Sequence, residues 1–251
     1  MTEKSKMTEM NTQAAEIRST PERKLIDADS AQRMAARCSD YNDSRSEARN
    51  FRCAEFRDVV FQNEDLSGMD ATHSAFINCR FEQCRMGRIE AHFSTFTGCS
   101  FSHCDLENSN FSFATLDILL ANCNLDGVDM TFARGTVSAT QCMMERATAP
   151  NANLNLKFCE VNATCFEANC SQLDLEISGS CVRRSEFNDA VVRGKISTSD
   201  LSNTELNRSD LTLLEICDSA TRGMETEDSS GVDDDFEKAF EEAMSELEEE
   251  Y

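Results

Sequence analysis

Tryptophan is absent from this chain of 251 residues, and it holds only 2 prolines and 9 glycines. An aromatic core must therefore come mainly from its 16 phenylalanines. No apolar run reaches 18 residues, so no membrane span is expected. The N-terminus MTEKSKMTEM carries charge but no apolar stretch, so no Sec-type signal peptide is expected. The chain lacks G-x-G-x-x-G, a Walker loop, H-E-x-x-H and G-x-S-x-G. Its 3 histidines, His73, His92 and His103, have no sequence neighbour that suggests a dyad. Paired acids such as Glu248 and Glu249 lie in a charge run. No enzyme and no cofactor are expected.

Positive charge is also scarce. There are 24 Lys and Arg against 46 Asp and Glu, a formal net charge of −22. Residues 1–50 balance, with 9 basic and 9 acidic side chains. Residues 51–218 carry 13 and 24, and residues 219–251 carry 2 and 13. Phosphate affinity comes from Lys and Arg, so direct nucleic-acid binding is disfavoured. A basic protein partner, or a protein that normally holds DNA, suits this field better.

What the sequence does have is a period. Stepping by five from Phe51 gives Phe56, Phe61, Leu66, Ala71, Phe76, Phe81, Met86, Ala91, Phe96, Phe101, Leu106, Phe111, Leu116 and Ala121, all apolar. Two residues earlier lies a second slot, mostly small or apolar. It runs from Ala54 and Val59 through Cys79, Cys84, Cys99 and Cys104 to Ala114 and Leu119, with Glu64 as the exception. The other three slots are mostly polar. A period of five fits neither a helix nor a flat strand. It suits a solenoid that turns a corner every five residues.

CDLEN (104–108), SDLSN (199–203), TELNR (204–208) and SDLTL (209–213) resemble the A-(D/N)-L-x-x pattern of the pentapeptide-repeat family. The resemblance covers roughly residues 50–217. It implies an all-β fold, a right-handed quadrilateral β-helix with four pentapeptides per coil. Residues twenty apart then stack in adjacent coils, about 4.8 Å apart. One column becomes Phe56, Phe76, Phe96 and Leu116, and the next Phe61, Phe81, Phe101 and Ala121. A clean late run adds Leu201, Leu206, Leu211 and Ile216. Between the two regular stretches, Leu125 and Met130 fall one position off the series, and Met144, Ala149 and Leu154 differ again. An irregular middle near 131–160, a loop or bulge leaving the solenoid, is expected there.

The cysteines are weighed in the same frame. Cys79, Cys84, Cys99 and Cys104 form C-x4-C…C-x4-C, whereas zinc sites favour closer pairs that converge on one metal. Ser74, Ser94, Ser109 and Ala114 fill equivalent slots. The slot wants a small side chain, and a buried free thiol behaves as a small hydrophobe. Cys79 should lie under Cys99 and Cys84 under Cys104, in separate columns. No metal site is expected. Thirteen cysteines, an odd number without a secretory signal, read as reduced thiols in a cytosol.

The ends lack the period. Residues 1–50 read as a polar arm or a helical cap over the first coil, with an export segment as the alternative. Residues 51–218 are the expected solenoid and 219–235 an acidic linker. In 236–251 an amphipathic acidic helix is expected, with Phe236, Phe240, Met244 and Leu247 on one face and Asp233, Asp234 and Asp235 at its start. These seven are the candidate partner-binding residues. The tail folds back on the last coil, stays solvated, or meets a partner or a second copy as a homodimer.

VFQNEDLSGMDATHSAFINCRFEQC (60–84) and FSHCDL (101–106) look most like quinolone-resistance (Qnr-type) members. That resemblance implies binding and protection of bacterial type II topoisomerases, DNA gyrase and topoisomerase IV, by an acidic β-helix that imitates B-DNA. The expected place is then the bacterial cytoplasm. The alternative is a type III-secreted effector or scaffold that binds a host or bacterial protein.

Overall fold

The computed structural model describes residues 22–39 and 49–230. The chain forms a parallel β-solenoid of about 9 turns with one short helix. β1 (Lys24–Ile26) pairs in parallel with β2 (Ala54–Arg57), Ile26 opposite Phe56. β3 (Val60–Gln62), β4 (Ala75–Ile77) and β5 (Arg80–Glu82) follow, then β6 (Thr95–Ser102). β7 (Thr115–Ala121), β8 (Arg134–Thr140), β9 (Asn153–Cys159), β10 (Gln172–Ser178), β11 (Val191–Ser197) and β12 (Asp210–Cys217) stack onto it in chain order.

Each early coil has four sides, centred on the columns headed by Phe51, Phe56, Phe61 and Leu66. Phe56 pairs with Phe76, and Phe76 with Phe96. Phe61 pairs with Phe81, and Phe81 with Phe101. All six rings are buried. Successive rings in each column stack within 10° of parallel, 4.6 to 4.9 Å apart. A buried ring removes about 150–250 Å² from water, so these ladders supply a narrow core without tryptophan.

The acids of the repeat have a local duty. Asp65, Asp70, Asp105 and Asp200 each accept a hydrogen bond from the backbone amide two residues on, an Asx-turn that closes the corner. The residue that follows the donating amide then takes a left-handed backbone, as at Gly68, His73, Asn108 and Asn203.

Two register shifts correct the sequence reading. Thr97 pairs with Asp117, but Cys99 pairs with Ile118, so Gly98 bulges out at φ 61°. From there coils have 19 residues, as in Asn110↔Asp129↔Thr148. The corner between the Phe56 and Phe61 sides is lost. Asp58, Asn78 and Gly98 hold left-handed backbones there, and β7 runs straight through. The Phe61 column therefore continues through Leu120, not Ala121, and Leu119 is 61% exposed, not a core spacer.

The expected irregular middle is likewise overturned. β8 and β9 pair without a break from Arg134↔Asn153 to Thr140↔Cys159. TLDILLA, NLNLKFC and QLDLEIS alternate, burying every second residue, which suits a continuous seven-residue strand. A second bulge at Thr212 restores the longer coil. Gly135 is needed at one straightened position. Its φ is +119°, and a Cβ there would collide with the Leu116 carbonyl oxygen.

At the N-terminal end, α1 (Ala28–Ser39) begins at Asp27, whose carboxylate accepts from the Ser30 amide at 2.8 Å. Ala31, Ala35 and Cys38, spaced i, i+4 and i+7, are buried against the core. Small residues on that stripe let the helix approach the first coil closely. At the other end, Ala220, Glu225 and Ser230 bridge to Asp200, Glu205 and Asp210. Residues 219–230 are thus wall of the last coil, and the acidic linker expected at 219–235 does not begin there. Leu201, Leu206 and Leu211 are buried on three different sides. Phe236, Phe240, Met244, Leu247 and Asp233 to Asp235 lie outside the described residues, as does the expected acidic helix. Among the described residues, no helix is long and apolar enough to cross a membrane.

Candidate functional site

The inward positions are taken by packing, so chemistry must lie outside. The cysteines are the first test. Cys84, Cys104, Cys123 and Cys142 are buried, and equivalent rungs place them in one column, two longer than the sequence reading gave. Cys84, Cys104 and Cys123 donate their thiol hydrogens to the carbonyls of Phe61, Phe81 and Phe101 in the preceding coil, at 3.3 to 3.5 Å. Cys79 and Cys99 form a separate pair of rungs, donating to Phe56 and Phe76. Neighbouring thiols and burial together hold Cys99, Cys104 and Cys142 above the usual thiol range. Among the described residues, no group of three or more His, Cys, Asp or Glu is arranged to hold a metal ion.

His73 and His92 are neighbours in adjacent coils, the His73 amide donating to the His92 carbonyl at 3.2 Å. His73 lies at a corner, and burial, with His92, Arg52 and Arg23 nearby, holds its imidazole below the ordinary value of 6.5. His92 Nδ1 is buried without a hydrogen-bond partner, 3.7 Å from Glu90 Oε2. A groove of about 600 Å³ is lined by Arg134, Gly135, Asn153, Asn155, Asp174 and Arg193 among others. No histidine or cysteine lines it.

The outward columns carry the charge. One runs the length of the solenoid as Asp70, Glu90, Asn110, Asp129, Thr148, Glu167, Glu186, Glu205 and Glu225. Its last four rungs are all glutamate. Parallel pairing sets them about 4.8 Å apart, close enough for mutual repulsion. Neutral donors soften this. Asn169 Nδ2 donates to Glu186 at 3.2 Å, and Asn188 Nδ2 to Glu205 at 3.0 Å. Among the described residues no lysine, arginine or histidine forms a salt bridge with these four glutamates. The sequence reading missed this column because its rungs change spacing from 20 to 19 residues and back.

The neighbouring corner carries rings. His73, Phe93, Phe113 and Phe132 occupy successive coils with φ of 60°, 58°, 59° and 56°. Their centroids are 5.1, 4.9 and 4.8 Å apart and all three pairs stack. Phe113 is 40% exposed. Phe93 follows the inward Ala91 by two residues, outside the apolar series of the repeat. The other two phenylalanines fall in the same outward slot, a signal that was present and unused.

A family model described as pentapeptide repeats matches 8 copies over residues 50–88 and 92–117. Among solved structures, HetL, a pentapeptide repeat protein involved in heterocyst differentiation regulation from the cyanobacterium Nostoc sp. strain PCC 7120, is similar. The match has 12% identity and a TM-score of 0.40, covering 81% of this chain and 94% of that one. Trypsin-treated QnrB1, a plasmid-mediated fluoroquinolone resistance protein, matches at 19% identity and a TM-score of 0.33, covering 79% and 91%. No curated protein matches the chain.

Proposed function

The chain carries pentapeptide repeats folded as a parallel solenoid, and on that premise we propose a non-catalytic protein-binding wall. Its partner presents a basic surface, the kind that holds nucleic acid. Bacterial type II topoisomerase, DNA gyrase or topoisomerase IV, is the first candidate, with protection from quinolones as the outcome. The observation that carries this reading is the column Glu167, Glu186, Glu205 and Glu225, four carboxylates on consecutive rungs with no basic partner among the described residues. B-DNA sets one phosphate every ~3.4 Å along each strand, and these rungs repeat about every 4.8 Å, so the column offers a comparable line of negative charge.

The test is a gyrase supercoiling assay with and without fluoroquinolone. Supercoiling that survives the drug when the protein is added supports the reading. No effect at micromolar protein sinks the topoisomerase partner. Converting the four glutamates to glutamine should weaken the effect and flatten its salt dependence.

The tail is proposed to add a docking element through Phe236, Phe240, Met244 and Leu247. Pull-down with the intact chain and with one lacking 231–251 separates tail from solenoid. The proposed place is the bacterial cytoplasm, where 13 thiols stay reduced. Export of a reporter fused to residues 1–50 would favour the secreted alternative instead.

A further inference from the structure

Left-handed backbones recur at corners along the whole solenoid, under Arg, Cys, Gln and Asn as well as under the rings of the corner ladder. A left-handed φ is uncommon for bulky side chains and suits Asn, Asp and Gly. The next rung after Phe132 is Asn151, at φ 56°, the ordinary solution. Four successive coils instead place His73, Phe93, Phe113 and Phe132 there. These rings stay partly exposed, and Phe113 is 40% exposed. An aromatic ridge left partly exposed on four successive coils is an unpartnered apolar surface, and that points to function.

The stack also decides what can bind. Because the rings lie face to face, their faces are covered by one another and their edges turn outward. A partner cation cannot sit on those faces, but apolar side chains can pack along the edges. The ridge is roughly 15 Å long, three rungs of about 4.8 Å. Beside it runs the acidic column, here Asp70, Glu90, Asn110 and Asp129. The corner and its acidic flank already accept two cations of this chain, Arg23 at the corner and Arg52, which pairs with Asp70 at 3.5 Å. Arg23 Nε donates to the His73 carbonyl at 2.9 Å, and its Nη2 to Thr95 Oγ1 at 3.2 Å.

We propose that this ridge is a docking surface for one basic amphipathic helix of a partner protein. Apolar residues at i, i+4, i+7 and i+11 of such a helix span about 16 Å, the length of the ridge. Lysines or arginines along one flank would meet Asp70, Glu90 and Asp129. Charge argues against the other occupants. A second copy would bring acidic columns toward each other. Residues 231–251 hold 10 acids and one base. Residues 1–21 hold three of each and bring no positive excess. The proposal rests on the protein-binding reading but not on the identity of the partner.

The test uses the full chain and two labelled helical peptides with the same leucine stripe, one flanked by lysine and one by glutamate. Fluorescence anisotropy reads binding to the natural chain and to the F93N/F113N/F132N variant. Asparagine suits the left-handed corner, so circular dichroism and melting should show the variant folded. Expected are at least about tenfold tighter binding of the basic peptide than of the acidic one, and about tenfold loss in the variant. Equal binding by the natural chain and the folded variant overturns the proposal. So does about tenfold tighter binding once residues 1–21 are removed, because that segment would then be the occupant. Basic-peptide binding with no effect on supercoiling would sink only the topoisomerase reading. Supercoiling protection that survives in the variant while basic-peptide binding is lost would place the topoisomerase on another face and support the ridge as a separate surface.

Discussion

Phe101 lies on Phe81 with ring centroids 4.6 Å apart and planes 4° from parallel. Leu120 takes the next rung of that column. The Phe81 ring is covered on both faces, by Phe61 and Phe101. Phe81→Ala should cost about 3–5 kcal/mol, because neighbours fixed by the β-ladder cannot collapse into the gap. Urea unfolding followed by circular dichroism reads this from the shift in midpoint. A loss below about 1 kcal/mol would remove the column from the list of what holds the coils together.

The glycines divide by what surrounds them. Gly68 has φ +68° with nothing within 4 Å of an added Cβ, so Gly68→Ala should cost only the left-handed strain, about 1–2 kcal/mol. Gly135→Ala adds a collision with the Leu116 carbonyl and should cost at least about 3 kcal/mol. Thermal melts of the two variants side by side test the difference. Equal losses would mean the β7–β8 approach is not tight.

Thiol reactivity should follow burial. Cys159 and Cys170 are exposed and should react first with a thiol reagent in the native protein. Cys79, Cys84, Cys99, Cys104, Cys123 and Cys142 should wait for denaturant. Cys38, on the buried face of α1, is pushed up to about 11 by that burial. At pH 8 only about a thousandth of it is thiolate. Peptide mapping after timed labelling checks the order, and early modification of Cys104 would contradict the column.

His73 should titrate below 6.5. Burial disfavours its charged form, and His92, Arg52 and Arg23 add repulsion. A value lower in the folded than the unfolded chain means the unfolded chain binds more protons in that window. The contribution is therefore complete above 6.5 and is lost as pH falls from there to the folded value. An NMR titration of His73, with melts at pH 7 and 5.5, reads both. A folded value above 6.5 would reverse the sign.

The columns headed by Phe56 and Phe61 were legible because twenty-residue coils and a five-residue period coincide there. Leu116 was placed correctly and Ala121 was not, because the lost corner lies between them. A single omitted residue shifts every later position, and a reader counting by fives sees disorder where the chain has only changed its count. QLDLEIS and NLNLKFC did carry the replacement signal, a period of two, but the surrounding period of five hid it. The exterior was harder. Glu167, Glu186, Glu205 and Glu225 are spaced 19, 19 and 20 apart, so only the register of the coils brings them into line.

The two bulges at Gly98 and Thr212 have a further effect. A uniform periodic rod offers a long partner many equivalent positions, each one rung along from the last. Here the outline has four corners up to Gly98 and a flattened side from β7 to β11. Rings mark one edge near the start, and carboxylates mark it near the end. A partner that docks along the proposed wall would meet a different outline on sliding by one rung, so the bulges would give such a partner one register and one polarity.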